Sequence, residues 1–308
     1  VTDEATEAAP APFRVEAPGF YQLTREQYLA DPCPEPSLNS STAWTIVEEC
    51  PALAAWAHPR LNPQHQREEG SNMDRGSIAH AIVLEGTTAR VRVVKGVSDW
   101  RTNAAKEARD LVRSKGLLPI LESDYADVLA MTGGLRLQLD AHREGRAMFR
   151  NGQAEVAAIW TEEINGATVW CRALLDYVRL GLEHPQGIDD YKTIKGSANP
   201  ERVSKTLATT SALMQSAFYQ RGVQVLTGRR LPFRFCYQEC EPPYLASVNA
   251  LGAELEIIGD RMVLLALDRW QRCLETGHWP GYGNQTALAS CPPWVEEAFM
   301  RKEVEFGV

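Results

Sequence analysis

The apolar positions of this chain change their period along its length. From Thr42 to Cys50 they recur at helical spacing behind several possible caps, Ser37-Leu38-Asn39-Ser40-Ser41, and Pro51 ends or kinks that helix. Residues 60–72 are polar, hold Pro63, Gly70 and Asn72, and read as a loop. Residues 76–86 read as a short, largely buried helix stopped by Gly86. Two further helices are expected over 103–115 and about 122–144, separated by Gly116-Leu117-Leu118-Pro119.

Between 153 and 194 the pattern becomes β-rich. It predicts strands near 154–162, 167–180 and 187–193, with Asn165-Gly166 as a hairpin turn. A loop from Gly196 to Pro200 leads into a helix over 201–226. Residues 231–250 give two more strands broken by Pro242-Pro243, and a long helix over 252–276 ends at Gly277. One short helix at most is expected after Gly283. This order predicts a mixed α/β core with an N-terminal helical layer. Residues 1–36 read as a flexible arm, rich at first in Ala, Pro, Glu and Thr and then marked by Pro32, Pro34 and Pro36. The folded domain then covers 37–283, and 284–308 form a tail.

The chemistry concentrates in Gly187-Ile188-Asp189-Asp190-Tyr191-Lys192-Thr193, with Asp176 fourteen residues before Asp190. Strand positions two apart share a face, so Asp190 and Lys192 project together. A hairpin register could bring Asp176 beside them. Two carboxylates and a lysine on a strand pair suit Mg²⁺ binding and phosphodiester cleavage. The plain alternative is two exposed hairpin acids and an edge-strand lysine that discourages aggregation.

Gln215 and Tyr219 are four apart, on one helix face, and could hydrogen-bond the carboxylates or a DNA phosphate. Arg172, four before Asp176, shares its strand face by simple alternation and could reach phosphate or a surface acid. Lys195, Arg202 and Lys205 follow the motif and could line a DNA path; Arg221, Arg229, Arg230 and Arg234 form a second basic cluster. Solvated faces are the ordinary reading of such clusters. Trp44, Trp56 and Trp100 read as core or subunit contacts.

Composition narrows the class. The 308 residues suffice for one large domain or two small ones, and 44% hydrophobic with 23% charged residues suits a soluble globular protein. No apolar run is long enough to span a membrane and no signal-peptide order opens the chain, so a cytoplasmic protein without a membrane partner is expected. The seven cysteines are scattered and odd in number, as reduced thiols would be. Cys236 and Cys240 have no second close pair to complete a zinc or iron–sulfur site. The net charge of −8 argues against a DNA-coating protein but allows a local basic groove. No Gly-x-x-x-x-Gly-Lys-Ser/Thr loop, Gly-x-Ser-x-Gly turn or Cys–His nucleophile pattern is present.

Five segments, taken in order, resemble one family. They are Leu38-Asn39-Ser40-Ser41 with Cys50-Pro51-Ala52; Gly76-Ser77-Ile78-Ala79-His80 with Leu84-Glu85; Asp190-Tyr191-Lys192-Thr193; Gln215-Ser216-Ala217-Phe218-Tyr219; and Trp279-Pro280-Gly281-Tyr282. Over about residues 37–283 the chain resembles the PD-(D/E)XK nucleases, and most closely the phage-type RecE (exonuclease VIII) branch of the RecB-like group. Asp189 is a second acid where that branch commonly has an apolar strand residue.

The resemblance implies a restriction-endonuclease-like core, a central mixed β-sheet flanked by helices. It implies Mg²⁺, replaceable by Mn²⁺, held by His80, Asp176, Asp190 and the main-chain carbonyl of Tyr191, with Glu155 near the metal. Lys192 would position and activate the attacking water, and Gln215 and Tyr219 would support the site. It further implies 5′→3′ digestion of linear duplex DNA to leave 3′ single strands, a homo-oligomeric ring, and a single-strand-annealing recombinase as partner in phage recombination. Other readings are an endonuclease or CRISPR-associated nuclease of the same superfamily, and a non-catalytic DNA clamp.

Overall fold

The β-rich stretch supplies the centre of the sheet. A computed structural model describes residues 13–65, 71–180 and 183–307. In chain order its elements begin with β1 (Gly19–Gln22), α1 (Arg25–Leu29), α2 (Ser40–Glu48), α3 (Pro51–Ala57) and α4 (Ser71–His80), which runs into a π-helical turn at Ala81–Glu85. There follow β2 (Val91–Val94), α5 (Asn103–Arg113), β3 (Leu118–Leu121) and α6 (Glu122–Ala141). The central strands are β4 (Gly152–Ile164), β5 (Ala167–Arg179) and β6 (Gly187–Ile194). Then come α7 (Pro200–Thr209), α8 (Ala212–Thr227), β7 (Phe233–Glu239), β8 (Ala246–Asn249), α9 (Ala253–Thr276) and α10 (Pro293–Phe306).

Six strands form one sheet in the order β1-β4-β5-β6-β7-β8, and β2 pairs with β3 separately. The large sheet is mixed: β6 and β7 are parallel and its other pairs antiparallel. Helices flank it as expected. α2, α8 and α9 cover one face through Ile46, Trp160, Phe218, Phe235, Leu267 and Trp270. α4 and α6, with the small sheet, cover part of the other through Ile78, Val128, Leu135, Tyr177 and Tyr191. No helix among the described residues is long and apolar enough to cross a membrane.

Several boundaries differ from the sequence expectations, each for a local reason. Pro51 does not only end a helix; it occupies the first turn of α3, where a missing N–H costs nothing. The single helix expected over 201–226 breaks at Thr210-Ser211. Thr210 is extended there and its hydroxyl accepts from the Ala212 N–H at 3.4 Å, a local bond that competes with helix. Leu118 and Pro119, expected in a connector, lie in β3, a four-residue strand of a two-stranded sheet. The tail carries α10, fourteen residues long. Residues 66–70 of the expected loop lie outside the described residues, and helix resumes at Ser71.

The expected arm over 1–36 is corrected from Phe13 onward; residues 1–12 lie outside the described residues. β1 pairs with β4 from Gly19↔Ile159 to Gln22↔Val156. α1 starts on a reciprocal Thr24–Gln27 capping box. Behind it Asp31 is fully buried. Its carboxylate accepts from the Ser37 N–H at 2.9 Å and the Ser37 hydroxyl at 2.7 Å, and pairs with Arg172 at 3.2 Å and His58 at 3.3 Å. Burial alone would raise its pKa, but these partners hold it well below the usual carboxylate range.

The sheet sets the position of α8 through one close approach. A Cβ at Gly222 would stand 2.5–2.7 Å from the ring atoms of Trp160, which is wholly buried on β4. Gly222→Ala is therefore expected to push α8 off the sheet and cost about 1–3 kcal/mol, read by urea unfolding. An unchanged midpoint would show that the ring yields freely.

Candidate active site

The site forms where β5 and β6 part. Their ladder holds Tyr177↔Asp189, Val178↔Ile188 and Arg179↔Gly187, while on its other edge β6 stays paired with β7 from Ile188 to Ile194. One step beyond the last rung, the Tyr191 N–H donates to the Asp176 carboxylate at 2.9 Å. A side chain thus replaces the missing strand partner and fixes Asp176 against β6.

Across β5 the same level is also irregular. The β4 register places Ala154 opposite Tyr177 and Val156 opposite Leu175, so Glu155 faces Asp176. Glu155 has φ of +51°, a left-handed conformation that is costly for a residue with a side chain. Strand alternation breaks here. Ala154 and Tyr177 pack on one face of the sheet, while Val156 and Leu175, two residues away in each strand, pack on the other.

The break gathers three metal-binding side chains. His80, Glu155 and Asp176 each offer a ligand atom, and these atoms lie within 4.8 Å of one another. His80 arrives at the junction of α4 with its π-helical turn, a distortion frequent at functional sites. Its Nδ1 is 3.8 Å from Asp176 and its ring packs on Tyr191. Burial first, and the Asp190 charge second, push the Asp176 carboxyl up to about 7. Burial likewise raises Glu155, with His80 opposing and Glu85 adding to the shift. Two carboxylates and an imidazole, with the acids disfavoured as bare anions, fit a divalent cation with a preference for oxygen donors.

Asp190 stands beside this group with its oxygens already engaged. Lys192 Nζ lies 2.7 Å from one, and Gln215 Nε2 donates to the other at 2.6 Å. Burial alone would lower the lysine's pKa, but the Asp190 and Asp176 charges overcome it and the net shift is upward. Lys192 therefore stays an ammonium. Tyr219, four residues after Gln215, is buried beneath, hydrogen-bonded with the Ser40 side chain and packed on Phe233. It supports the site from behind rather than facing its opening. The fold gathers His80, Glu155, Asp176, Asp190, Tyr191, Lys192, Gln215 and Tyr219 in one region; spacing pointed to Asp176, Asp190, Lys192, Gln215 and Tyr219, and the family resemblance to His80, Glu155 and Tyr191. Neither anticipated the Tyr191 N–H bond, the Lys192–Asp190–Gln215 chain or the twisted Glu155 backbone.

Arg172 requires correction. It is 2% exposed, pairs with Asp31, donates to the Ser37 carbonyl at 2.8 Å and stacks over Tyr28. The alternation break between Leu175 and Tyr177 invalidates the shared face that spacing implied. Lys195, Arg202 and Lys205 are exposed, and no ion pair holds them among the described residues. Of the second basic cluster, Arg221 is paired with Glu162, Arg230 with Asp260 and Arg234 with Glu144. Asp189 faces away from the site, paired with Arg179 at 3.1 Å.

Residues 40–290 match a family described as a PDDEXK-like domain of unknown function (DUF3799). No curated protein matches the chain. Among solved structures, a candidate exonuclease from Eubacterium rectale superposes with a TM-score of 0.56 at 16% identity, over 88% of this chain and 97% of that one. That likeness is one of fold. The structure of SSO0001 gives a TM-score of 0.24 at 15% identity, over 62% of this chain and 86% of that one.

Two predictions follow from the charges. In EDTA, the Asp176 carboxyl takes up a proton on folding between the unfolded value near 3.8 and the folded value of about 7. Its contribution to stability is thus unfavourable above 7 and recovers as pH falls. Wild type should gain on Asp176→Asn from pH 7 to 5 by up to about 1.4 kcal/mol per pH unit in urea unfolding. A pH-independent difference would remove the assigned shift. Separately, Arg172→Ala leaves Asp31 buried without its guanidinium and should cost about 3–5 kcal/mol. Full stability with weakened DNA binding would instead restore Arg172 as a phosphate contact.

Proposed function

Because this chain belongs to the PDDEXK-like family DUF3799, we propose that it is a divalent-metal-dependent deoxyribonuclease that digests linear duplex DNA from its ends. The observation that carries this reading is the pairing of two adjoining devices: the His80–Glu155–Asp176 group, and the Asp190–Lys192–Gln215 chain beside it. A hard cation held by the first group would supply Lewis acidity for phosphodiester hydrolysis. Mg²⁺ suits the two carboxylates, and Mn²⁺ should substitute.

The chain's own residues have separable roles. Lys192, kept charged, is suited to orient the attacking water and to offset negative charge developing on the phosphate, not to accept a proton. Asp190 holds the lysine, and Gln215 holds Asp190. The Tyr191 N–H holds Asp176. Lys195, Arg202 and Lys205, exposed and without an ion pair among the described residues, would bind the DNA backbone, where each phosphate contact would add salt dependence. The resemblance to the exonuclease VIII branch supports 5′→3′ polarity, leaving 3′ single strands for an annealing recombinase.

The test uses end-labelled linear duplex and closed circular DNA, with Mg²⁺ or EDTA. Linear DNA alone should disappear, in Mg²⁺ only, with label lost first from 5′ ends. Asp190→Ala and Lys192→Ala should each lower the rate by about 10²–10⁴-fold. Cutting of the circle would make the protein an endonuclease. Binding without cutting would make it a clamp.

A further inference from the structure

The chain is acidic as a whole, and one segment runs against that balance. Residues 90–115 hold eight basic residues and three acidic ones, a net of +5 within a chain of −8, so the remainder carries −13. Two of the three acids face basic residues of the same segment: Asp110 pairs with Arg109 at 2.9 Å and Asp99 with Arg101 at 4.0 Å. Arg90, Arg92, Lys95, Lys106 and Lys115 are exposed and have no ion pair among the described residues. On an otherwise negative molecule, such a surface concentrates the attraction for a polyanion in one place.

Position, as well as charge, separates this surface from an ordinary solvated face. The segment folds as one unit, β2–α5–β3, whose strands run parallel from Val91↔Leu118 to Val94↔Leu121. A short, hydrogen-bonded link joins it to the metal-binding group. The π-helical turn that follows His80 packs against β4 and ends at Gly86. The Gly86 and Thr87 N–H groups both donate to the Ala81 carbonyl, and the Val91 N–H donates to the Thr88 carbonyl at 2.9 Å. Arg90 is thereby held on the His80 side of the site. There its charge, with those of His80 and Arg25, opposes the rise that burial imposes on the Glu155 carboxyl. The Leu118 N–H donates to the Arg90 carbonyl at 2.8 Å, which brings the turn after α5, with Lys115, to the same end of the small sheet. The other exposed cations belong to the opposite layer. Lys195 precedes α7, and Arg202 and Lys205 lie on it. Val203 and Leu207 seat α7 in the core on one face of the large sheet, while Val91 and Ile120 seat the small sheet in the core on the other.

Resting on the nuclease reading above, we infer that the β2–α5–β3 unit is a second binding surface for the sugar–phosphate backbone of duplex DNA, and that Arg90 and Lys115 contact phosphates flanking the scissile one. The substrate is then held from both layers of the fold. The charge spacing of a duplex suits the unit: α5 has eleven residues and is about 16 Å long, and a duplex carries one negative charge about every 1.7 Å, so on the order of ten phosphates pass along it. Backbone contacts position the duplex without reading its sequence, as digestion through any sequence requires.

Binding of a labelled blunt duplex, followed by anisotropy in Ca²⁺ at a series of KCl concentrations, tests this apart from cleavage. Arg90→Ala combined with Lys115→Ala changes exposed side chains only and should keep the wild-type melting temperature. It should weaken binding and lower the slope of log K against log salt by about 1.8, two contacts at about 0.9 each. Arg229→Ala, which removes an exposed cation just after α8, should leave the slope unchanged. In Mg²⁺ the double variant should raise KM and keep kcat near wild type. A slope and affinity equal to wild type would overturn the inference and leave the surface a solvated one. So would a wild type that does not bind duplex DNA. Binding that depends on Arg90 and Lys115 in a protein that cuts no DNA would sustain this surface while removing the nuclease reading.

Discussion

A carboxylate withdrawn from water must find positive charge, and this requirement organises the molecule around Asp176 and Asp190. Both acids sit where two strands diverge, so neither can be solvated freely and each repels the other. Lys192 answers Asp190 directly. Asp176 accepts from the Tyr191 N–H and has the His80 imidazole and the Lys192 charge near it, but burial and the Asp190 charge outweigh them and push its carboxyl up to about 7. The resulting shortage of positive charge is a local property of the folded chain that a bound cation would relieve. The left-handed backbone at Glu155 belongs to the same arrangement, since it turns a third acid toward that shortage.

The supporting frame serves this spot. α8 delivers Gln215 and lies tight on the sheet because Gly222 lets the Trp160 ring approach. The opposite face of β6 is neutralised separately: Asp189 takes Arg179, and so the tandem acids of the motif divide between two faces. This accounts for an acid where an apolar residue was to be expected. Asp189 has its own cation and does not compete for Lys192.

Much of this was legible in the sequence because it follows strand alternation. Asp190 and Lys192 are two apart, Asp176 precedes them at hairpin distance, and both relations survive in the fold. Alternation also explains where reading failed. It breaks at Glu155 and again between Leu175 and Tyr177, so Arg172 ends in the interior rather than at the site. A single positive φ leaves no mark in composition or spacing. The short elements were invisible for a different reason. β1, α1 and β3 have four or five residues each, too few to establish a period, and they exist because longer neighbours offer them an edge or a surface. Pro51 and the Thr210-Ser211 break show the same limit at helix ends, where one residue's local bonding decides the boundary.

The clasp of Asp31 with Ser37, His58 and Arg172 joins the segment that carries β1 and α1 to the middle of β5. The family match begins at residue 40. A fragment trimmed to that boundary would discard β1, α1 and Asp31 yet keep Arg172, stranding a guanidinium in the interior with no counter-charge. Recurrence among relatives and cooperative folding therefore draw different borders on this chain, and the second is the wider.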